Sequence, residues 1–250
     1  MKKSLALILV MILAMGLFLT ACGSDYSDVS GNIAPNQDSA VVPTGELAQS
    51  QQETDPVAAL PENELSLGRM EGGVYTNNYA GFTCELDSNW SFLSAKELEQ
   101  IPSTVSDMVK GTELGDALVG VQQFTDMMAE NVTDLTSINV LYQKMSMQER
   151  LAYAMMSEEQ VIDSTLQQSA MMIDAYTQAG ITVISMEKVT VTLAGRERSA
   201  IHTTAAIQDI PYYMLQFFDL NLGEYGITTT LASYVDDNTG NLLALFHPVA

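Results

Sequence analysis

The C-terminal half of the chain alternates apolar and polar positions with the period of two that is typical of β-strands. The predicted strands cover residues 181–193, 198–207, 212–222 and 225–234. The turn signals between them are Ala194-Gly195, Asp209-Ile210-Pro211 and Gly223-Glu224. Strands joined by such short turns are neighbours and antiparallel, so the pattern predicts an antiparallel meander.

Helix starts are predicted by a serine followed three residues later by Glu or Gln, the capping-box pattern. The three boxes are Ser94 with Glu97, Ser146 with Glu149, and Ser157 with Gln160. The last two predict a short helix running into a longer one that ends before Gly180. The apolar positions of the longer helix are Ile162, Leu166, Ile173 and Tyr176. Their helical spacing predicts an amphipathic helix packed on the sheet.

The rest of the predicted domain contains shorter elements. Strands are predicted at 74–79, 82–86, 118–124 and 137–142, with 126–134 as a connection, and short helices at 103–110 and from about 239 to 246. Within the second strand, Cys84 shares a face with Phe82 and Leu86. No basic neighbour is present to activate its thiol. The pattern therefore predicts that Cys84 is a small buried residue.

The N-terminus carries a different pattern. Two lysines precede 17 uncharged, mostly apolar residues, 5–21, which end at Leu19-Thr20-Ala21-Cys22. This layout predicts a secretory signal, and its end resembles a bacterial lipobox. We expect cleavage between Ala21 and Cys22 and acylation of Cys22, for example by palmitate, which would hold the protein on the extracytoplasmic face of the cell membrane. Two alternatives remain open: a retained transmembrane helix, although a bilayer core needs ~20 residues, and secretion without acylation.

Residues 23–73 contain nine acidic residues, one basic residue and one aromatic residue, with many Gln, Ser, Asn, Pro and Gly. Such a composition cannot bury enough apolar surface to offset lost conformational entropy, so it predicts a disordered linker. The predicted organisation is a signal peptide at 1–21, the lipidated Cys22 with a flexible acidic linker at 22–73, and one globular domain at 74–250.

The charge balance argues against two kinds of partner. Loss of Lys2 and Lys3 with the signal changes the formal net charge from −21 to −23. A surface of this sign repels nucleic acid and anionic lipid headgroups, so the expected attachment to the membrane is through lipid alone.

Candidate chemistry is sparse. His202 and His247 are isolated and do not form the ligand set that zinc needs. Residues 236–241 have their glycine at the fifth rather than the sixth position of a calcium loop, so they predict a turn and a helix cap. The sequence predicts no catalytic residue, no metal ligand and no cofactor.

An aromatic set lies mostly on the last two strands. Its members are Trp90, Tyr212, Tyr213, Phe217, Phe218 and Tyr225. Adjacent residues on a strand point to opposite faces. If helices cover the sheet the aromatic residues are core, which is the interpretation we favour; an uncovered row would be a binding surface.

Several segments of the predicted domain resemble a known family. These are residues 73–77, 81–82, 90–94, 188–191 and 194–197. They resemble the opening and the later hairpin of secreted domains of the PsbP-like superfamily, which includes lipoproteins of Firmicutes. The resemblance implies an α+β fold, a central antiparallel sheet flanked by helices in a PsbP-like α/β sandwich. It implies no catalytic residues. It also implies that the relatives of this domain act as accessory or assembly proteins.

We therefore expect a non-enzymatic, membrane-anchored binding or accessory module whose partner is an unidentified protein or small molecule. The alternative is an extracytoplasmic hydrolase or metal-dependent enzyme with a site built from scattered carboxylates, such as Asp209, Asp219 and Glu224. A third hypothesis is a structural envelope protein without a ligand.

Overall fold

The computed structural model describes residues 64–101 and 121–249. The predicted signal, Cys22, most of the predicted linker and the predicted helix at 103–110 lie outside these residues. Within them, no helix is long and apolar enough to cross a membrane.

Two antiparallel sheets form the framework. The large sheet contains β4 (Trp90–Phe92), β5 (Gln123–Asn131), β6 (Thr136–Lys144), β7 (Ile181–Leu193), β8 (Arg196–Ile207), β9 (Ile210–Asp219) and β10 (Tyr225–Tyr234), in the order β4-β5-β6-β10-β9-β8-β7. The small sheet contains β1 (Arg69–Glu71), β2 (Val74–Asn77), β3 (Phe82–Glu85) and β11 (Phe246–Pro248), in the order β1-β2-β3-β11. The predicted α+β class and the antiparallel meander from β7 to β10 are confirmed.

The helices are short, and all but one of them begin where the sequence predicts. They are α1 (Ala95–Leu98), α2 (Met147–Ala154), α3 (Glu158–Gln167), α4 (Ser169–Gln178) and α5 (Thr239–Leu242), and a 3-10 turn follows at Leu243–Leu245. All three predicted capping boxes form, with reciprocal bonds between each serine and the Glu or Gln three residues later.

The core has two levels. Between the sheets lies a cluster that includes Phe82, Cys84, Ile138, Phe217 and Phe246. Beneath α3 and α4, two further clusters pack helix residues against the large sheet. Cys84 is fully buried, as predicted, and burial raises the pKa of its thiol to about 12, so it stays protonated and unreactive.

One predicted connection is a strand. Residues 126–131 belong to β5, and only Val132 to Leu135 form the turn. The polar side chains of Asp126 and Glu130 hid the strand, and a bulge between Thr125 and Met127 breaks its alternation.

The prediction of one long helix after Ser157 is wrong. It divides at Gln168 into α3 and α4. The break rotates the second segment, so Met172 is buried at 1% exposure while the predicted core residue Ile173 is 38% exposed.

The remaining corrections concern the ends of elements. The turn after β8 consists of Gln208 and Asp209, both in the left-handed region, so Ile210 and Pro211 already belong to β9. The predicted final helix stops early, because Phe246 begins a strand that pairs with Cys84. Finally, β1 lies inside the range predicted as linker, because it pairs with β2 in a short hairpin.

Candidate functional site

An open groove lies at one end of the large sheet, and we call it the end groove. It has a volume of about 660 Å³, and its lining includes Asp87, Trp90, Asp134, Thr136, Val235 and Asp236. These residues come from the β3–β4 turn and the first residue of β4, from the β5–β6 turn and the first residue of β6, and from the segment after β10.

Backbone hydrogen bonds hold the wall of the end groove. The amide of Tyr234 donates to the carbonyl of Leu135 at 3.0 Å, and the amide of Val235 donates to the carbonyl of Pro211 at 2.9 Å. The side chain of Asn131 closes the β5–β6 turn, since its amide nitrogen donates to Asp134 at 2.9 Å and its oxygen accepts from the amide of Thr133 at 3.0 Å. The groove is therefore fixed by the strands rather than by a loose loop.

The rim of the end groove is apolar and strained. Leu135 and Val235 line the groove with exposures of 37% and 49%, and Val132 beside them is 71% exposed. Leu135 and Val235 have φ of 54° and 71°, a region that a branched side chain rarely adopts. Such a conformation costs on the order of 1–3 kcal/mol and persists only where the surrounding structure imposes it.

The floor of the end groove contains an unsatisfied hydroxyl. Thr136 is 3% exposed, and its Oγ1 has no hydrogen-bond partner among the described residues. Solvent does not reach this oxygen, and eleven other buried side-chain atoms of the described residues are also without a partner, so Thr136 belongs to the packed floor of the groove and is not a contact surface for a ligand.

A second groove, with a volume of about 350 Å³, lies beside a buried ion cluster. We call Glu158, Arg198 and Asp219 the Arg198 cluster. The Nε of Arg198 donates to Glu158, and its Nη2 donates to Asp219 Oδ1 at 2.8 Å. The arginine side chain is 8% exposed. Its guanidinium also lies 5.8 Å from the centre of the Phe217 ring.

The Arg198 cluster joins three elements. Glu158 is the first residue of α3, Arg198 lies near the start of β8, and Asp219 ends β9. Burial raises the pKa of Asp219, and the positive charge of Arg198 opposes that shift. Because two carboxylates already engage the guanidinium, the cluster holds α3 against the sheet rather than offering a free charge to a ligand.

A third polar group lies between the sheets. The hydroxyl of Tyr75 donates to Asp126 Oδ2 at 2.6 Å, and the amide of Gly68 donates to the same oxygen at 2.8 Å. The side chain of Asn77 donates to the hydroxyls of Tyr75 and Tyr142 at 2.8 and 2.9 Å. We call these side chains the Asn77 network; they tie the first strands to β5 and β6.

We expect the domain to lose stability as the pH rises through the acid range in which Asp126 titrates. Burial raises the pKa of Asp126, so the folded domain binds a proton more readily than the unfolded chain, and the free energy of unfolding falls as the pH rises above 3.8. Asp126→Asn keeps an acceptor for Tyr75 and Gly68 but does not titrate. Urea unfolding across this pH range measures how the free energy of unfolding changes with pH. In Asp126→Asn this slope should be smaller than in the parent protein by up to roughly 1.4 kcal/mol per pH unit.

The exposed Asp174 provides the control for this experiment. Asp174→Asn removes one carboxylate from the surface of α4 and should leave the pH slope close to that of the parent protein. An equal change of slope in both variants would show that net charge, rather than burial of Asp126, governs the dependence.

The carboxylates of the enzyme hypothesis are not brought together as a set. Asp209 lies in the turn before β9 and Asp219 at the far end of that strand, roughly 30 Å away. The backbone carbonyl of Glu224 accepts a hydrogen bond from Met145. Asp219 instead shares Arg198 with Glu158, since the guanidinium donates to both carboxylates. The sequence did not indicate this arginine as a partner of Asp219.

The histidines and the last acidic turn have ordinary roles. His202 lies 2.9 Å from Asp237, and His247 lies 3.9 Å from Glu85. Asp237 accepts from the amide and hydroxyl of Thr239, so this segment is the predicted turn into a helix. Within residues 64–101 and 121–249, no group of three or more His, Cys, Asp or Glu side chains could hold a metal ion.

Three of the six predicted aromatic residues are core. Tyr212 packs beneath α4, Phe218 packs beneath α3, and Phe217 lies between the sheets, so both faces of the sheet are covered there. The other three, Trp90, Tyr213 and Tyr225, are half-buried, and Trp90 lines the end groove.

Comparison with known proteins gives a limited result. Neither a scan of protein families nor a search of curated proteins found a match. The solution structure of cyanobacterial PsbP (CyanoP) from Synechocystis sp. PCC 6803 is similar, with 10% sequence identity and a TM-score of 0.39. The match covers 78% of this chain and 100% of that chain. The likeness concerns the general arrangement of strands and helices.

Proposed function

We propose that this protein is a lipid-anchored, non-enzymatic binding module on the extracytoplasmic face of a membrane, and that the end groove is its binding surface. The observation that carries the proposal is the end groove itself, where the exposed Leu135 and Val235 lie in one lining with three aspartates. Exposed apolar side chains around a concave surface are typical of interaction sites.

The anchoring part of the proposal is supported by the N-terminal sequence. The apolar run at 5–21 ends directly before Cys22, and the composition of the following segment is that of a flexible tether. As a flexible coil, such a tether of ~50 residues spans on the order of 40 Å, enough to hold the end groove clear of lipid headgroups.

Replacement of Cys22 tests the anchor. We expect Cys22→Ala to release the protein from the membrane fraction, because no acyl chain can then be attached. Ser24→Ala, two residues away, should leave the protein in that fraction. The measurement is membrane flotation together with mass spectrometry of the N-terminus. A Cys22→Ala protein that remains membrane-bound with residues 1–21 uncut would support a retained helix instead.

Site-specific cross-linking tests the binding surface. A photoreactive side chain at Thr133, which lines the end groove, should give a discrete adduct in the native envelope. The same side chain at the exposed Thr192, on the edge strand β7, is the matched control and should give none. Identical adducts from both positions, or none from Thr133, would count against the end groove as the binding surface.

A further inference from the structure

Resting on the proposed function, we propose that the end groove binds an extended, positively charged segment of a partner polypeptide that alternates cationic and apolar side chains. The structure offers two features that a segment of this kind would satisfy together: an uncompensated negative charge and exposed apolar side chains in the lining of the groove.

The first feature is charge. Asp87, Asp134 and Asp236 line the end groove, and no lysine, arginine or histidine is among the described residues of its lining. Asp236 has no side-chain partner among the described residues, whereas the carboxylates of the Arg198 cluster are already paired with a cation. The negative charge of the groove is therefore available to an incoming cation, and it would attract one before contact.

The second feature distinguishes a polypeptide from a small cation. Leu135 and Val235 stay exposed in the lining of the groove, and a small amine bound among the carboxylates would leave them so. Apolar side chains of a polypeptide would cover them. Trp90, which also lines the groove, presents an aromatic surface against which a lysine or arginine can pack.

The protein contains a built-in probe for this experiment. Trp90 is the single tryptophan of the chain and lines the end groove, so its fluorescence reports occupancy directly. We would titrate the mature protein with a short peptide that alternates lysine and valine. Comparison ligands are a lysine–serine peptide of equal charge, a glutamate–valine peptide, spermidine, and vesicles of zwitterionic lipid.

The expected result is saturable binding of the lysine–valine peptide, weakened by added salt. Binding of the lysine–serine peptide should be roughly tenfold weaker, and the glutamate–valine peptide should not bind. Equal affinity for spermidine would overturn the polypeptide assignment in favour of a small cation. A response to zwitterionic vesicles would overturn it in favour of a lipid surface.

Matched variants locate the binding. Asp87→Asn, Asp134→Asn and Asp236→Asn together should weaken binding roughly tenfold, because three contributing charges are lost while the local turns keep their acceptors. The control combines Glu71→Gln, Glu99→Gln and Glu187→Gln, which removes three exposed charges elsewhere. An equal loss in both proteins would show that only net charge matters, and the proposal would then fail.

The two proposals can fail separately. If cross-linking from Thr133 succeeds while no lysine-containing peptide changes the fluorescence of Trp90, the end groove is a binding surface for a different chemistry. If cross-linking fails but the peptide binds with the expected dependence on the three carboxylates, the chemistry is right and the physiological assignment is wrong.

Discussion

Arg198→Met is expected to lower the free energy of unfolding by about 3–5 kcal/mol, the loss that follows when a buried ion pair loses one partner. Arg198 is 7% exposed, and Asp219 behind it keeps one buried oxygen that has no hydrogen-bond partner even in the parent protein. Methionine fills a similar volume but leaves Asp219 buried without a positive charge. Urea unfolding of the variant and the parent at neutral pH measures the difference.

The dependence of this loss on pH shows its cause. Burial already raises the pKa of Asp219, and loss of Arg198 should raise it further, so the variant takes up a proton on folding. The deficit should therefore shrink as the pH falls from 7 towards 5. A deficit that is the same at both pH values would point to lost packing rather than to an unpaired carboxylate.

A compensating variant provides the control. Arg198→Met combined with Asp219→Leu and Glu158→Gln removes the unpaired charges together, and it should recover most of the lost stability. Glu158→Gln alone should cost less than about 1 kcal/mol, because the Glu158 side chain is 31% exposed and stays solvated. Failure of the triple variant to recover stability would show that the Arg198 cluster contributes more than balanced charge.

Local signals predicted much of the fold. The hairpin at Ala194 and Gly195 was predictable because two residues with positive φ close a tight turn, and the flanking strands alternate cleanly. Capping boxes located the starts of α1, α2 and α3, because both of their hydrogen bonds lie within four residues of sequence.

The elements that were missed depend on distant partners. Strand β11 has only three residues, and it exists because Phe246 packs into the core beside Cys84. The strand character of Asp126 was hidden because its carboxylate is satisfied by Gly68 and Tyr75, more than 50 residues earlier. No window of local sequence contains that information.

The end groove shows the same limit for function. Its residues come from three segments separated by about 45 and 100 positions, and none carries a motif. Trp90 was visible as a member of the aromatic set, but its exposure depends on the path of β4 at the edge of the sheet. Leu135 and Val235 line the groove because of the turns that hold them, and nothing in their local sequence indicates this.

Asn77→Ala should lower the free energy of unfolding by about 3–5 kcal/mol, as the loss of several buried hydrogen bonds implies. Asn77 is fully buried; it donates to the hydroxyls of Tyr75 and Tyr142 and accepts from the amide of Ala80 at 2.8 Å. Alanine removes all three bonds and leaves the amide of Ala80 buried without an acceptor. Urea unfolding followed by tyrosine fluorescence and circular dichroism measures the effect.

Tyr142→Phe is the matched control for Asn77→Ala. It removes one hydroxyl of the Asn77 network while the ring keeps its stacking on Phe124 at 5.1 Å, so the expected loss is only about 1 kcal/mol. If the two variants lost equal stability, the contribution would come from the tyrosine contact alone. A loss much larger in Asn77→Ala would show that one buried amide, bonded to β2, β6 and the turn before β3, determines how the small sheet docks on the large one.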